Sequence, residues 1–216
     1  MDNLLNTILQ MLEGSEITLE IFFVTLVIAL PLGMMAALGR LSKWRPLSAF
    51  MEFYIWLMRG TPLMLQLLFV YFALPMIGIR LPDIAAALLA FTLNYAAYFA
   101  EIFRAGILAV DAGQTEAARS LGLSATQAMK LVVLPQAVKN VLPALGNEVV
   151  TMVKESSICS TLGMVELMFA AKTVATSTYI SLAPYVLAAL MYFCITYPAG
   201  KAIEALERRM RRGDKH

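Results

Sequence analysis

Apolar residues fill most of the chain in stretches of about 20, the length at which an α-helix crosses a hydrocarbon core of roughly 30 Å. The stretches are continuously apolar, whereas strands of a membrane β-barrel alternate apolar and polar residues. The pattern therefore predicts an all-α membrane protein with a single transmembrane domain over residues 1–216. Its five predicted transmembrane helices cover residues 17–39, 60–79, 82–110, 141–171 and 181–202.

Two of the predicted spans adjoin or contain polar residues. Residues 46–58 are apolar apart from one acidic residue, and we expect them to form an approach helix on the cytoplasmic side of the second span. Arg59 would then lie at the membrane surface, where a long side chain reaches headgroups or water. Thr61 is placed to cap the second span, with Pro62 at its first helical position. The fourth span turns polar at residues 154–157 and then continues apolar.

The longest polar segment lies between the third and fourth predicted spans and has the pattern of two short helices. Asp111 is suited to cap the first helix, and Gly122 to end it. Ser124 and Gln127 repeat the cap pattern at the start of a second helix, which Pro135 is expected to end or kink. The segment is therefore predicted to be a helical hairpin.

Composition excludes a sizeable soluble domain, since 60% of the 216 residues are hydrophobic and only 15% are charged. Cys159 and Cys194 both lie in apolar surroundings, which predicts packing roles and no disulfide. The only histidine, His216, ends the tail. We therefore expect no metal site.

The distribution of basic residues predicts the orientation of the chain. Thirteen of the 17 Lys and Arg residues fall on one set of loops and on the tail, and two fall on the other set. Basic loops of membrane proteins face the cytoplasm. The five-span pattern then places the N-terminus outside, and the hairpin and the C-terminus in the cytoplasm, of a multi-pass protein in the cell membrane.

Polar residues on the third span share one helical face. Asn94, Tyr98 and Glu101 follow the spacing i, i+4, i+7. Asn94 and Tyr98 are candidates for substrate contact, and interhelical hydrogen bonding that fixes the packing is an equal alternative. Glu101 lies one turn before Arg104, which favours a local ion pair.

The fourth span carries a second polar face, formed by Glu148, Thr151 and Glu155 at i, i+3 and i+7. Lys154 and Ser156 flank this face. An ionisable group at the centre of a membrane helix costs about 2.5–3.5 kcal/mol on insertion scales, so such residues are functional candidates. Glu148, Thr151, Glu155 and Ser156 are therefore predicted to contact a substrate that carries both signs of charge, although a packing role remains the alternative.

The hairpin also contains a longer pattern: Glu-Ala-Ala, three residues, glycine, nine residues, an aliphatic residue and, after one more, Leu-Pro. These positions are Glu116, Ala117, Ala118, Gly122, Val132, Leu134 and Pro135. The pattern resembles the cytoplasmic EAA loop of permease subunits of binding-protein-dependent ABC importers, with Val132 in place of the usual isoleucine. Residues 58–75, 93–107 and 134–157 look like the polar amino-acid subfamily of these permeases.

The resemblance implies the fold of a type I ABC importer permease from a prokaryotic cell membrane, with five spans and the EAA loop at residues 111–135. It implies that Glu116, Ala117, Ala118 and Gly122 couple the permease to ATPase subunits. The implied partners are two such ATPase subunits, a second permease copy or a paralogue, and an extracytoplasmic amino-acid-binding protein. The implied function is ATP-driven import of polar or charged amino acids.

The chain itself is not expected to be an enzyme or to hold a cofactor. It contains no G-x-x-x-x-G-K-[ST] phosphate loop, so ATP and Mg would act on the partner ATPase. A secondary amino-acid transporter is one alternative, but no internal repeat of the kind common in that class is visible. A permease for another small solute, such as an amino-acid derivative, is a second alternative. A membrane enzyme would need a convergent catalytic cluster, which the sequence does not show.

Overall fold

Every regular element in residues 2–180 and 182–211, the part of the chain that the computed structural model describes, is helical. In chain order the α-helices are α1 (Asp2–Arg40), α2 (Arg45–Gly60), α3 (Leu63–Met76), α4 (Asp83–Leu108), α5 (Ala112–Ser120), α6 (Ala125–Ala128), α7 (Leu134–Glu155), α8 (Leu167–Thr178) and α9 (Ala183–Arg211). A π-helical segment, Met129–Val133, joins α6 to α7, and a 3-10 helix, Ser156–Leu162, follows α7.

Helix α4 forms the centre of the fold and agrees closely with the predicted third span. Its buried face alternates alanines with the fully buried rings of Phe91, Tyr95 and Phe99. Helix α1 packs along α4, and a Cβ added at Gly33 would lie 2.7 Å from the Cβ of Phe99. Small residues at such contacts let membrane helices approach closely, so that dispersion contacts hold them together.

The first helix is longer than the sequence pattern predicted. Helix α1 begins at Asp2 rather than at residue 17, and the candidate membrane span within it covers Leu5–Arg40. Glu13 and Glu16 are exposed on the face away from the bundle. Glutamate is a good helix former. The two acidic residues therefore interrupt the apolar pattern of the sequence, but the helix continues through them.

The predicted second span, 60–79, is wrong at its start. Gly60 belongs to α2, and α3 starts only at Leu63, after a bend of 103°. Pro62 takes the N-cap position instead of the first helical position. The Thr61 hydroxyl donates to the carbonyl of Leu57 in the preceding helix at 2.8 Å, so it does not cap α3.

The predicted fourth span, 141–171, is not one continuous helix. Helix α7 tightens into the 3-10 helix, Gly163 takes a left-handed φ of 79°, and α8 leaves at an angle of 51°. Toward its N-terminus, the same helical path reaches back through the π-helical segment to α6. Pro135 lies in the first turn of α7 and does not end the helix, because the wider π-helical turn directly before it absorbs the misfit.

Three helices in the described ranges are long and apolar enough to cross a membrane: Leu5–Arg40, Asp83–Leu108 and Ala183–Met210. The number rises to five if each of the two bent pairs counts as one span. Helix α9 continues to Arg211, beyond the predicted fifth span of 181–202. Ser181, at the start of that predicted span, and His216 lie outside the described residues.

Candidate functional site

The break between α2 and α3, and the point where α7 tightens into the 3-10 helix, lie against one cavity of about 410 Å³. One wall is the α2–α3 connection, and the other includes the end of α7 and the first turn of the 3-10 helix. Its lining residues are Arg59, Gly60, Thr61, Pro62, Leu63, Met64, Asn94, Tyr98, Glu155 and Ile158. Non-helical backbone at membrane depth is tolerated only where it is buried in protein or lines a polar cavity. The position of the α2–α3 break therefore marks this cavity as the candidate site.

Glu155 supplies the negative charge of the cavity. Its carboxylate Oε2 accepts a hydrogen bond of 2.7 Å from the hydroxyl of Tyr95, whose ring is 1% exposed. Glu148, two turns earlier on α7, is half-buried and lies within electrostatic range of Glu155 and Arg59. Thr151 lies between the two carboxylates in sequence and is also half-buried. The predicted acidic face of the fourth span therefore lies partly inside the bundle.

Arg59 supplies the positive charge. Its predicted position at the membrane surface stays a prediction, and its guanidinium lies 5.3 Å from the centre of the Tyr98 ring and lines the cavity. Such a cation–π contact orients the guanidinium. Its N–H groups lie in the plane of the guanidinium and can donate hydrogen bonds to an anion at the edge of that plane. Tyr98, predicted as a substrate contact, therefore lies in the cavity and holds its cation in place.

Asn94 is 3% exposed and joins the break between α2 and α3 to α4. Its amide donates to the carbonyl of Met58 at 3.1 Å and to Oε1 of Gln66 at 3.0 Å. Gln66 in turn donates to the carbonyls of Met58 and Thr61. These bonds satisfy carbonyls that the end of α2 leaves without helical partners. The packing role expected as an alternative for Asn94 is confirmed, and its contact with substrate stays a prediction.

Ser156 is fully buried, and its hydroxyl donates to the carbonyl of Val153 at 2.7 Å. It therefore faces the core in this structure, and its predicted contact with substrate has no support from its position. Sequence analysis missed Tyr95 as a partner of Glu155. The signal was weak, because Tyr95 lies beside the chosen polar face of α4 and continues the buried aromatic row of Phe91 and Phe99.

An ion-pair cluster closes the hairpin end of the bundle. The predicted local pair is confirmed, since Arg104 donates to both oxygens of Glu101, at 2.5 and 3.0 Å. Arg40 at the end of α1 also donates to Glu101, at 2.6 Å, and reaches Glu52 on α2 at 3.3 Å. Side chains of α1 and α4 therefore meet at the Glu101 carboxylate, and Arg40 extends the cluster to α2.

The hairpin has the predicted caps. Asp111 accepts from the backbone N–H of Gly113, and Ser124 and Gln127 form a reciprocal capping box. Gly122 has a φ of 87°, the left-handed conformation that glycine adopts at helix ends. These local features hold α5 and α6 in a defined turn.

The predicted coupling residues differ in exposure. Glu116 and Ala117 are exposed on α5, whereas Ala118 is only 4% exposed. Ala118 therefore packs inside the hairpin, and its coupling role stays a prediction. Helix α5 packs against α6 and the π-helical segment, so one of its faces is occupied within the hairpin. Glu116 and Ala117 remain on the open side.

The chain is similar in sequence to known transport proteins over most of its length. Residues 29–212 match the family described as binding-protein-dependent transport system inner membrane component. The arginine transport system permease protein ArtQ of Bacillus subtilis is 42% identical over 204 residues, which cover 94% of this chain and 93% of that protein. The putative glutamine transport system permease protein GlnP of Rickettsia felis is 41% identical over 204 residues, with 94% of each chain covered.

Solved structures agree with the sequence relatives. A crystal structure of an amino acid ABC transporter with histidines superposes with a TM-score of 0.89 at 41% identity, covering 95% of this chain and 96% of that one. An inward-facing structure of the MetNI methionine ABC transporter superposes with a TM-score of 0.70, covering 94% and 95%. Its identity is 19%, so it supports the fold alone.

Proposed function

The chain belongs to the family of binding-protein-dependent transport system inner membrane components, and we propose that its cavity binds the amino acid that the complex imports. The chain is the permease subunit of an amino-acid ABC importer, and ATP hydrolysis belongs to a separate subunit. The single observation that carries the proposal is that Glu155 and Arg59 line one cavity at the break between α2 and α3. The secondary-transporter alternative finds no support in the comparisons.

The cavity matches the charges of an amino acid. An α-amino acid brings an ammonium and a carboxylate, and each is costly to hold at membrane depth without a partner. Glu155 is placed to meet the ammonium or a basic side chain. Arg59 is placed to meet the carboxylate, and the N-terminus of α3, which no side chain caps, adds a favourable field for an anion. The predicted substrate contacts Asn94, Tyr98 and Glu155 surround this space, and Glu148 adds a further negative charge nearby.

The hairpin is the proposed contact with the ATPase partner. Its exposed side carries Glu116 and Ala117, and the turn at Gly122 keeps α5 at a defined angle. The helix that starts in the hairpin continues through the π-helical segment into α7, which is about 33 Å long and ends at Glu155. A displacement of the hairpin therefore reaches the cavity through one helical path.

The assembly that we propose has two ATPase subunits with ATP and Mg, a second permease copy or paralogue, and an extracytoplasmic binding protein. The charge distribution supports five spans with the N-terminus outside and the hairpin in the cytoplasm, where an ATPase is available. Each bent pair then crosses the membrane as one broken span.

Uptake into proteoliposomes by the reconstituted complex tests the site. Glu155→Gln keeps the shape of the side chain and removes its charge, and we expect a fall in uptake of about tenfold or more, since charge-assisted hydrogen bonds contribute about 1.5–3 kcal/mol. Glu148→Gln should lower uptake less. Glu13→Gln, at an exposed position of α1 away from the cavity, is the matched control and should transport normally. Normal uptake per folded complex in Glu155→Gln would contradict the proposed site.

A further inference from the structure

A second cavity, of about 580 Å³, lies beside the first toward the hairpin end of the bundle. Arg59, Gly60 and Tyr98 line both cavities, so the contact between the Arg59 guanidinium and the Tyr98 ring separates them. The other end of the second cavity reaches Arg40, the last residue of α1, and Glu101, two turns from the end of α4. The two cavities are therefore neighbours, with Arg59 between them.

Most of the charge in the second cavity is already paired. Glu101 accepts three hydrogen bonds, two from Arg104 and one from Arg40, so it is neutralised within the protein. Glu52 differs, because its side chain is 63% exposed and its contact with Arg40 is a single bond of 3.3 Å through Oε1. An exposed ion pair of this kind is weak. Glu52 and Arg59 are therefore the two charges that remain available to a solute.

These two charges share one face of α2 with two aromatic rings. Glu52 and Arg59 are seven positions apart, which places them on the same side of the helix about 10 Å apart along its axis. Phe53 and Trp56 also line the cavity beside Glu52, and both side chains are exposed, Trp56 by 71%. A carboxylate flanked by aromatic faces favours a cation, because ring quadrupoles add to the attraction of the negative charge.

We propose that the second cavity is an exit station that preferentially holds amino acids with a cationic side chain. The α-carboxylate binds Arg59, and the side-chain cation binds Glu52 between Phe53 and Trp56. An amino acid of the length of lysine or arginine reaches both charges, whereas glutamine meets only one of them. The proposal rests on the proposed function, since it gives the second cavity a place on the import path after the first.

Protection of an introduced cysteine tests the station directly. Ala49 lines the second cavity one turn before Glu52, and Ala49→Cys reports on its occupancy. The background is Cys194→Ser, because Cys194 is exposed and Cys159 is buried. The purified complex with its ATPase subunits reacts with an uncharged thiol reagent in the presence of L-arginine or L-glutamine. We expect L-arginine to slow labelling about tenfold near ten times its dissociation constant, and L-glutamine to slow it far less.

Three variants separate direct contact from a conformational effect. Phe50→Cys introduces a thiol at the next residue of α2, which is exposed and does not line the cavity, and its labelling should not respond to L-arginine. Glu52→Gln in the Ala49→Cys chain should remove the protection, and Glu52→Asp should retain it. No protection by L-arginine, equal protection at both cysteines, or protection that survives Glu52→Gln would overturn the proposal.

The labelling test of the exit station and the uptake test of the proposed function can fail independently of each other. Loss of uptake in Glu155→Gln together with unprotected Ala49→Cys refutes the exit station and leaves the first cavity in place. Normal uptake in Glu155→Gln refutes the first cavity as the substrate site, whatever the labelling shows.

Discussion

Removing one hydroxyl tests whether the geometry of Glu155 matters for transport. Tyr95→Phe keeps the ring that packs with Phe91 and Phe99 and deletes only the group that donates to Glu155 at 2.7 Å. Because the ring is 1% exposed, the substitution leaves the surface of the bundle unchanged. The expected effect is therefore confined to the orientation of one carboxylate in the cavity.

The magnitude follows from the kind of bond that is lost. A hydrogen bond to a charged group contributes about 1.5–3 kcal/mol. Glu155 lines a cavity of about 410 Å³, where water replaces part of the lost bond, so we expect the lower end of that range. A loss of about 1.4 kcal/mol in substrate binding corresponds to a tenfold rise in KM. The maximal rate should change much less, because the coupling hairpin is untouched.

Initial uptake rates over a range of substrate concentrations, normalised to folded complex, provide the measurement. Tyr54→Phe is the matched control, since the Tyr54 hydroxyl donates to the carbonyl of Leu93 at 2.6 Å and Tyr54 does not line the cavity. It should lower the melting temperature and leave KM unchanged. An unchanged KM in Tyr95→Phe, or an equal rise in Tyr54→Phe, would refute the positioning role of Tyr95.

Three further predictions concern packing, coupling and topology. Gly106→Val directs a side chain into Val141 of α7. The overpacking costs about 1–3 kcal/mol and should lower the melting temperature of the complex. Ala105→Val, at the exposed neighbouring position, should leave the melting temperature unchanged. Gly122→Pro or Glu116→Lys should leave the protein inserted in the membrane but abolish stimulation of the ATPase by loaded binding protein. Unchanged stimulation in both variants would show that the hairpin takes no part in coupling. Reporters fused at the two termini should report opposite sides of the membrane, with the C-terminal one in the cytoplasm, and two reporters on the same side would contradict an odd number of spans.

The sequence was sufficient to predict structural features that depend mainly on residues close together in the chain. The capping box of Ser124 and Gln127 and the left-handed turn at Gly122 each depend on a few adjacent residues, and each is present as predicted. The third span was predicted nearly to its ends, because its mainly apolar run is bounded by Pro82 on one side and Asp111 on the other. The local ion pair between Glu101 and Arg104 was predictable for the same reason.

Contacts between distant segments were not predictable from spacing. The hydroxyl of Tyr95 meets Glu155 across 60 positions, and Asn94 meets Met58 and Gln66 across 36 and 28. A helical face shows which residues point the same way, but it does not show which helix lies opposite. Arg59 was predicted at the membrane surface because it falls between the approach helix and the second span, and its contact with Tyr98 of a distant helix was not predictable from that position.

The helix break at Gly60–Pro62 gives the candidate site a physical basis that is independent of any relative. A break exposes backbone groups that helix bonds no longer satisfy, and in a lipid environment each such group costs several kcal/mol. This break instead faces the cavity, where Gln66 and Asn94 satisfy carbonyls on one side and the side chains of Arg59 and Glu155 bring charge. Charged side chains are costly against lipid, so the presence of one from α2 and one from α7 in the same cavity is the strongest physical argument that a polar solute passes through it.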